Sequence, residues 1–280
     1  MITSTSLSRE EYLRKKRKRK IIKYSLFFFL FILLIGLISY VSHRKELRLG
    51  RVYLFGGVLL TEEEVQEKTL LFLSGSHFFI FPKNNTFLFP REDLESYLKE
   101  FFKRIDTIII KKKGFTALSV EIKERKPYAI WCKGLPEKTE GEIEECYFMD
   151  QNSTIFAPAP NFSGDAYFKY YGEVGDSPIG KEYIASSTKF IGISDFVTNI
   201  KTLSLRPQYI LEKGEDDFSM VLSGGGQIYF DTKESLYKVV QNLSALLKTP
   251  ELAPLNRENL PVHYIDLRYG NKLFYKLKVE

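Results

Sequence analysis

Cysteine, histidine and tryptophan are scarce in this chain of 280 residues. The two cysteines, Cys132 and Cys146, are too few for the disulfide-dense framework of a small secreted domain or for a four-cysteine zinc site. Either they bridge, closing a short loop around Gly134 to Glu145, or they are two unpaired thiols, and spacing alone leaves both open. His43, His77 and His263 stand singly and match no H-E-x-x-H spacing, so they found no metal site. A P-loop, a G-x-S-x-G nucleophile turn and a G-x-G-x-x-G dinucleotide loop are also missing from the sequence. Ser186-Ser187-Thr188-Lys189 fits the S-x-x-K of penicillin-binding enzymes, but no K-T-G accompanies it and the match is read as chance. Gly224 to Gly226 reads as a hairpin turn rather than a phosphate cradle. The expectation is a protein that is not an enzyme, with no cofactor and no small-molecule substrate.

An excess of charge is missing as well, once the chain is divided. Its net charge of +6 suggests a nucleic-acid partner, yet residues 1 to 23 hold nine Lys/Arg against only Glu10 and Glu11. The remainder carries 32 basic and 33 acidic side chains, so the basicity belongs to a tail and no nucleic-acid surface is expected. What the chain does have is apolar material, 44% hydrophobic and 15% aromatic residues, enough for two folded units or one large one.

Tyr24 to Val41 runs for 18 residues without a charge. As a helix it spans roughly 27 Å, close to the thickness of a bilayer core, with Ile21, Ile22 and a snorkelling Lys23 extending it. Seven consecutive cations, Arg14 to Lys20, precede it, whereas only His43, Arg44 and Lys45 closely follow. The positive-inside rule keeps residues 1–20 in the cytoplasm as a basic tail, makes 21–42 a transmembrane helix and sends the rest across. The run is longer than a usual signal-peptide core and no small-x-small cleavage site follows it. The cations are read as a topology signal on a disordered tail in preference to an anionic-lipid contact.

Beyond the anchor, Arg51 to Phe55 is strand-like, and Thr61 with Glu64 forms a T-x-x-E capping box that opens a helix to about Ser74. After Pro90, Leu94, Tyr97, Leu98, Phe101 and Phe102 form one apolar helical stripe. Ile105 to Lys111 and then Leu118, Val120 and Ile122 alternate as half-buried strands around Lys112-Lys113-Gly114. This makes a β-α-α-β-β unit over residues 47–127, in which Ser74 to Pro90 has no settled form. Residues 128–280 read as a β-rich domain with two helices. One runs from about Lys181 to Leu203, and the other is opened by Asp231 and Glu234. Phe218 to Leu222 and Ile228 to Phe230 make a hairpin, and Tyr264 to Val279 reads as one long strand kinked at Gly270-Asn271. The fold class is α+β.

Two segments carry a family resemblance. Val120-Glu121-Ile122-Lys123-Glu124-Arg125-Lys126-Pro127-Tyr128-Ala129-Ile130-Trp131 is similar to the V-x-I-x-E-R-x-P-x-A-x-W strand of the FtsQ/DivIB family of bacterial cell-division proteins, and Tyr147 to Asp150 follows as the matching hairpin. Tyr264-Ile265-Asp266-Leu267-Arg268-Tyr269 resembles that family's closing strand. The order of anchor, two motifs and spacing covers nearly the whole chain. Gly114-Phe115-Thr116 departs from it, standing where the family often has an aromatic-Pro turn.

The resemblance implies a polypeptide-transport-associated (POTRA) domain followed by the family's β domain. It implies a single-pass protein of the cell (inner) membrane at the division septum, a divisome scaffold tying FtsL-type and FtsB/DivIC-type partners to the septal wall synthase complex. Strand addition at the C-terminal sheet edge would dock the partner. By that analogy Ile265, Leu267, Arg268, Tyr269, Leu273 and Tyr275 form the partner-binding strand. Glu124 and Arg125 are read as an ion pair bracing the domain junction, with Trp131 packed there. The alternative is another POTRA-bearing membrane protein, a chaperone for exported polypeptides, although no second β-α-α-β-β copy appears.

Overall fold

The computed structural model describes residues 9–77, 80–134, 144–160 and 166–278. The first eight residues of the expected basic tail, and most of the loop between the two cysteines, lie outside them. The chain divides into two compact units, Met1–Phe101 with Thr107–Lys123, and Phe102–Asp106 with Glu124–Glu280.

The N-terminal unit begins with α1 (Arg9–Ser42), within which Tyr12–Ser42 is long and apolar enough to cross a membrane. The helix is unbroken through the cations Arg14 to Lys20, which corrects the expectation of a disordered tail there. Lys and Arg are good helix formers, no Gly or Pro interrupts them, and they extend a helix already nucleated by the apolar run.

There follow β1 (Arg51–Phe55), α2 (Glu62–Phe72), the two-residue strands β2 (Ser76–His77) and β3 (Phe81–Pro82), α3 (Arg91–Phe101), β4 (Ile105–Lys113) and β5 (Ala117–Glu124). Thr61 caps α2 in the reciprocal box with Glu64 that the T-x-x-E spacing predicts. The sheet order is β1-β5-β4, with β1 parallel to β5 and Val52 opposite Leu118. Val52, Val65, Leu94, Leu98, Ile110, Leu118 and Val120 are all buried and form this unit's core.

The C-terminal unit is built on a nine-stranded sheet of β6 (Ala129–Cys132), β7 (Cys146–Met149), β8 (Ile155–Pro158), β9 (Lys169–Tyr171), β10 (Pro207–Glu212), β11 (Asp217–Leu222), β12 (Gln227–Asp231), β13 (Val262–Tyr269) and β14 (Lys272–Leu277). Its order is β14-β13-β12-β11-β10-β9-β6-β7-β8. Two helices, α4 (Ser187–Thr202) and α5 (Leu236–Leu246), complete it. Each helix occupies a crossover between parallel strands, α4 from β9 to β10 and α5 from β12 to β13. A parallel pair cannot be closed by a tight turn, so a helix is the usual link. Phe190, Phe196 and Ile200 of α4 and Val239 and Leu243 of α5 pack with Trp131, Phe218, Phe230 and Ile265 of the sheet in one core.

Three expectations are corrected here. Helix α4 starts at Ser187, not Lys181, because the Ser186 hydroxyl caps it and Lys181 to Tyr183 are engaged with residues 153 to 155. Asp231 ends strand β12, and α5 opens after Ser235. The expected long closing strand is a hairpin: β13 turns at Gly270-Asn271, with Gly270 at φ +64°, and returns as the antiparallel β14. Glycine tolerates that left-handed conformation, and a Gly-X pair suits a two-residue hairpin turn.

Candidate functional site

Strand edges carry unpaired backbone groups, and among the described residues hydrogen bonds meet every long edge but one. In the N-terminal sheet the N–H of Val52 donates to Gln66 Oε1 at 3.1 Å and that of Leu54 to Glu62 Oε2 at 3.2 Å, so side chains of α2 occupy the β1 edge. On β4 the N–H of Ile110 donates to Glu95 Oε1 of α3 at 3.0 Å. Burial opposes ionisation of Glu95, but the bonds from Ile110 and Arg91 prevail and hold its carboxyl below the usual range. In the nine-stranded sheet the β8 edge is covered as well, because Ile155 N–H donates to Lys181 O and Ile155 O accepts from Gly180 N–H. Strand β14 is the last strand at the other end, and among the described residues nothing pairs with its outer edge.

The face of the sheet beside that edge is aromatic. Tyr229 of β12, Tyr264 and Asp266 of β13, and Phe274 of β14 line a shallow depression of about 600 Å³ together with Tyr269 and Lys272. Simple alternation would put Tyr269 on the opposite face, with Ile265 and Leu267. Asp266 pairs with Phe274 and Tyr269 with Lys272, three steps on β13 against two on β14, and this bulge brings Tyr269 to the open face. Tyr269 is 57% exposed and Phe274 50%, with ring centroids 5.4 Å apart edge to face. Asn242 of α5 donates to Gly270 O at 3.0 Å and ties down the hairpin turn.

Arg268 is held by the neighbouring carboxylate. Its Nε and Nη2 donate to Asp266 Oδ1 and Oδ2 at 2.9 and 2.6 Å, and its guanidinium lies 5.3 Å from the Tyr229 ring centre. The Asp266 hydrogen bonds raise the arginine's pKa further, so the cation is permanent. Ile265 and Leu267 are buried in the core, while Leu273 and Tyr275 pack half-buried against it, so these four turn their side chains inward. Of the six residues expected to bind a partner, only Arg268 and Tyr269 present theirs on the open face. Tyr229, Tyr264, Phe274 and Lys272 share that depression and are not among the six. The signal for the last two was the opposite phase of β14, where Lys272, Phe274 and Lys276 alternate with Leu273, Tyr275 and Leu277.

The remaining expected sites have structural surroundings. Arg125 pairs with Asp150 at 2.5 Å, donates to Lys103 O at 3.2 Å, and lies 3.9 Å from Asp106. Glu124 is buried at the end of β5. Trp131 sits in the core of the C-terminal unit, its ring 5.9 Å from that of Tyr147 and its Nε1–H donating to Gly172 O at 3.1 Å. Cys132 and Cys146 face one another across β6 and β7 and are joined in a disulfide. Their sulfurs are therefore not thiolate ligands, and the adjacent Glu144 carboxylate accepts from Tyr171 and from Lys169 Nζ. Ser186 is a helix cap, and Lys189 Nζ is paired with Asp216 at 2.9 Å.

No protein-family model matches this chain, and no curated protein sequence matches it.

Proposed function

We propose that the protein is a non-catalytic, single-pass scaffold of the FtsQ/DivIB kind, with its N-terminus in the cytoplasm, α1 across the cell membrane, and the remainder of both units outside it. On this reading the β-α-α-β-β unit is a POTRA domain, and the nine-stranded unit is the family's β domain. The scaffold acts at the division septum, linking FtsL-type and FtsB/DivIC-type partners to the septal wall synthase. The observation that carries the reading is the unprotected edge of β14 beside the Tyr269 and Phe274 face. Backbone pairing along such an edge supplies affinity, and side chains alternating over an aromatic surface supply selectivity. The basic flank of α1 and the two sequence motifs support it independently.

Adjacent residues of an edge strand direct their N–H groups to opposite sides, so Phe274→Pro and Tyr275→Pro are complementary probes. One removes a bond within the β13–β14 hairpin, and the other removes only a bond offered to a partner. In capture of a FtsB/DivIC-type ectodomain by the full chain, both are expected to weaken binding, and unchanged capture by both would exclude the edge. A fluorescent fusion is expected to concentrate at the septum, and a uniform envelope signal would overturn the divisome assignment.

A further inference from the structure

Ile80, Phe87, Leu88 and Phe115 are large apolar side chains of the N-terminal unit that the core leaves 42 to 63% exposed. Three of them come from the Ser74 to Pro90 stretch, which helical or strand periodicity does not account for. Hydrogen bonds fasten this stretch to the end of α1. Ser39 Oγ donates to Ile80 O at 3.0 Å, and Asn85 Nδ2 donates to Ser42 O at 3.0 Å. The chain leaving α1 continues the attachment, with Thr86 N–H donating to Leu47 O at 2.9 Å and Gly50 N–H to Thr116 O at 2.9 Å. Phe115 precedes Thr116, its ring 6.0 Å from that of Phe87, and Lys112 Nζ lies 5.2 Å from the Phe87 ring centre.

We propose that this patch lies in the outer interfacial layer of the bilayer crossed by α1, giving the N-terminal unit a second, non-spanning attachment to lipid. The proposal rests on the reading of α1 as a transmembrane helix, because that reading fixes where the patch falls. Ser39 is two residues inside the end of the apolar run, so its partner Ile80 is level with the last turn of the span. Phe87 is two residues beyond Asn85, a reach of at most about 7 Å. The polar layer of a bilayer leaflet is roughly 5–8 Å deep, so Phe87 falls within it, and the Phe115 ring is its neighbour at 6.0 Å. Phe and Leu side chains of membrane-surface segments bury at the headgroup boundary, and the ammonium of Lys112 stands ready for headgroup phosphates. A protein covering the same patch would have to displace lipid from beside the helix that anchors it.

The test uses the full chain reconstituted into phosphatidylcholine and phosphatidylglycerol vesicles whose acyl chains carry bromine near the headgroup. Phe29→Trp, Phe87→Trp and Phe55→Trp are compared after subtracting the emission of the parent protein, whose single tryptophan is Trp131. All three positions are well exposed, so the larger ring needs no repacking. Bromine is expected to cause loss of emission at Phe29→Trp and Phe87→Trp and none at Phe55→Trp, which is at the far end of β1 from Thr116. Loss at Phe29→Trp without loss at Phe87→Trp overturns the lipid contact while leaving the span intact, and points to a protein on the patch. Equal loss at Phe55→Trp overturns it too, as unspecific sinking into lipid. No loss at Phe29→Trp overturns the span itself.

Discussion

Replacing Arg125 by methionine is the most direct probe of what the E-R-x-P segment does. The substitution keeps the unbranched stem but removes the guanidinium that bonds to Asp150 and to Lys103 O. Arg125 is 19% exposed and Asp150 8%, so the pair is largely withdrawn from water. Breaking such a pair costs about 3–5 kcal/mol, mainly because the remaining charge stays buried without its partner. Here Asp150 keeps two backbone donors, Asn152 N–H at 2.8 Å and Thr154 N–H at 2.9 Å. Those bonds offset part of the loss, which sets the expected cost at the lower bound, about 3 kcal/mol. For a unit of this size each kcal/mol lowers the melting temperature by about 2–4 °C, a fall of about 6–12 °C in all. Urea unfolding of the full chain in detergent, followed by emission of Trp131, reads the correct unit because that indole is buried in its core. The double variant Arg125→Met, Asp150→Asn should recover much of the loss, since no unpaired charge then remains. A single-variant cost below about 1 kcal/mol would refute the reasoning and make the pair an ordinary solvated contact.

Removing the disulfide with Cys132→Ala and Cys146→Ala opens a closure of sequence separation 14, for which loop entropy gives a cost of about 3 kcal/mol in the same unfolding experiment. Glu212 supplies a pH signature. Burial raises its carboxyl pKa, with Lys189 opposing, so the folded pKa exceeds the unfolded value. Its contribution is therefore complete below the unfolded pKa and is lost as pH rises through the folded one. Glu212→Gln should accordingly gain stability relative to the parent between pH 4 and pH 7.5, and a difference that does not change with pH would show that the carboxyl is not desolvated.

Much of the local structure was legible because it is written in short-range patterns. The T-x-x-E box, the α3 stripe and the alternation of β5 follow directly from capping and periodicity. Register and strand order were not legible, because they depend on pairings between distant segments. Nothing in Lys169 to Tyr171 announces that β9 lies between β6 and β10, and the helix crossovers become evident only once those parallel neighbours are known. The closing segment shows how this limit reaches the candidate site. Its alternation alone reads as one strand, whereas a glycine turn and a bulge in β13 determine which residues face outward. The bulge depends on an extra residue relative to the opposing strand, a quantity that one segment alone does not contain.

The asymmetry of edge protection constrains function more tightly than any single side chain. Glu62, Gln66 and Glu95 each place a side-chain oxygen on an outward N–H of the smaller sheet, and residues 180 to 182 lie along β8. Each arrangement satisfies a backbone donor or acceptor that would otherwise invite pairing with another chain. A free edge on β14 that served no purpose would carry the same aggregation risk these groups remove elsewhere. Its exposed face instead alternates Lys272, Phe274 and Lys276. The lysines discourage indiscriminate pairing of one copy with another through charge repulsion, whereas Phe274 and Tyr269 reward an incoming strand with apolar side chains in the matching phase. An edge that discourages its own kind yet offers an aromatic surface suits a different chain, and this is the physical argument on which the proposal places the partner at β14.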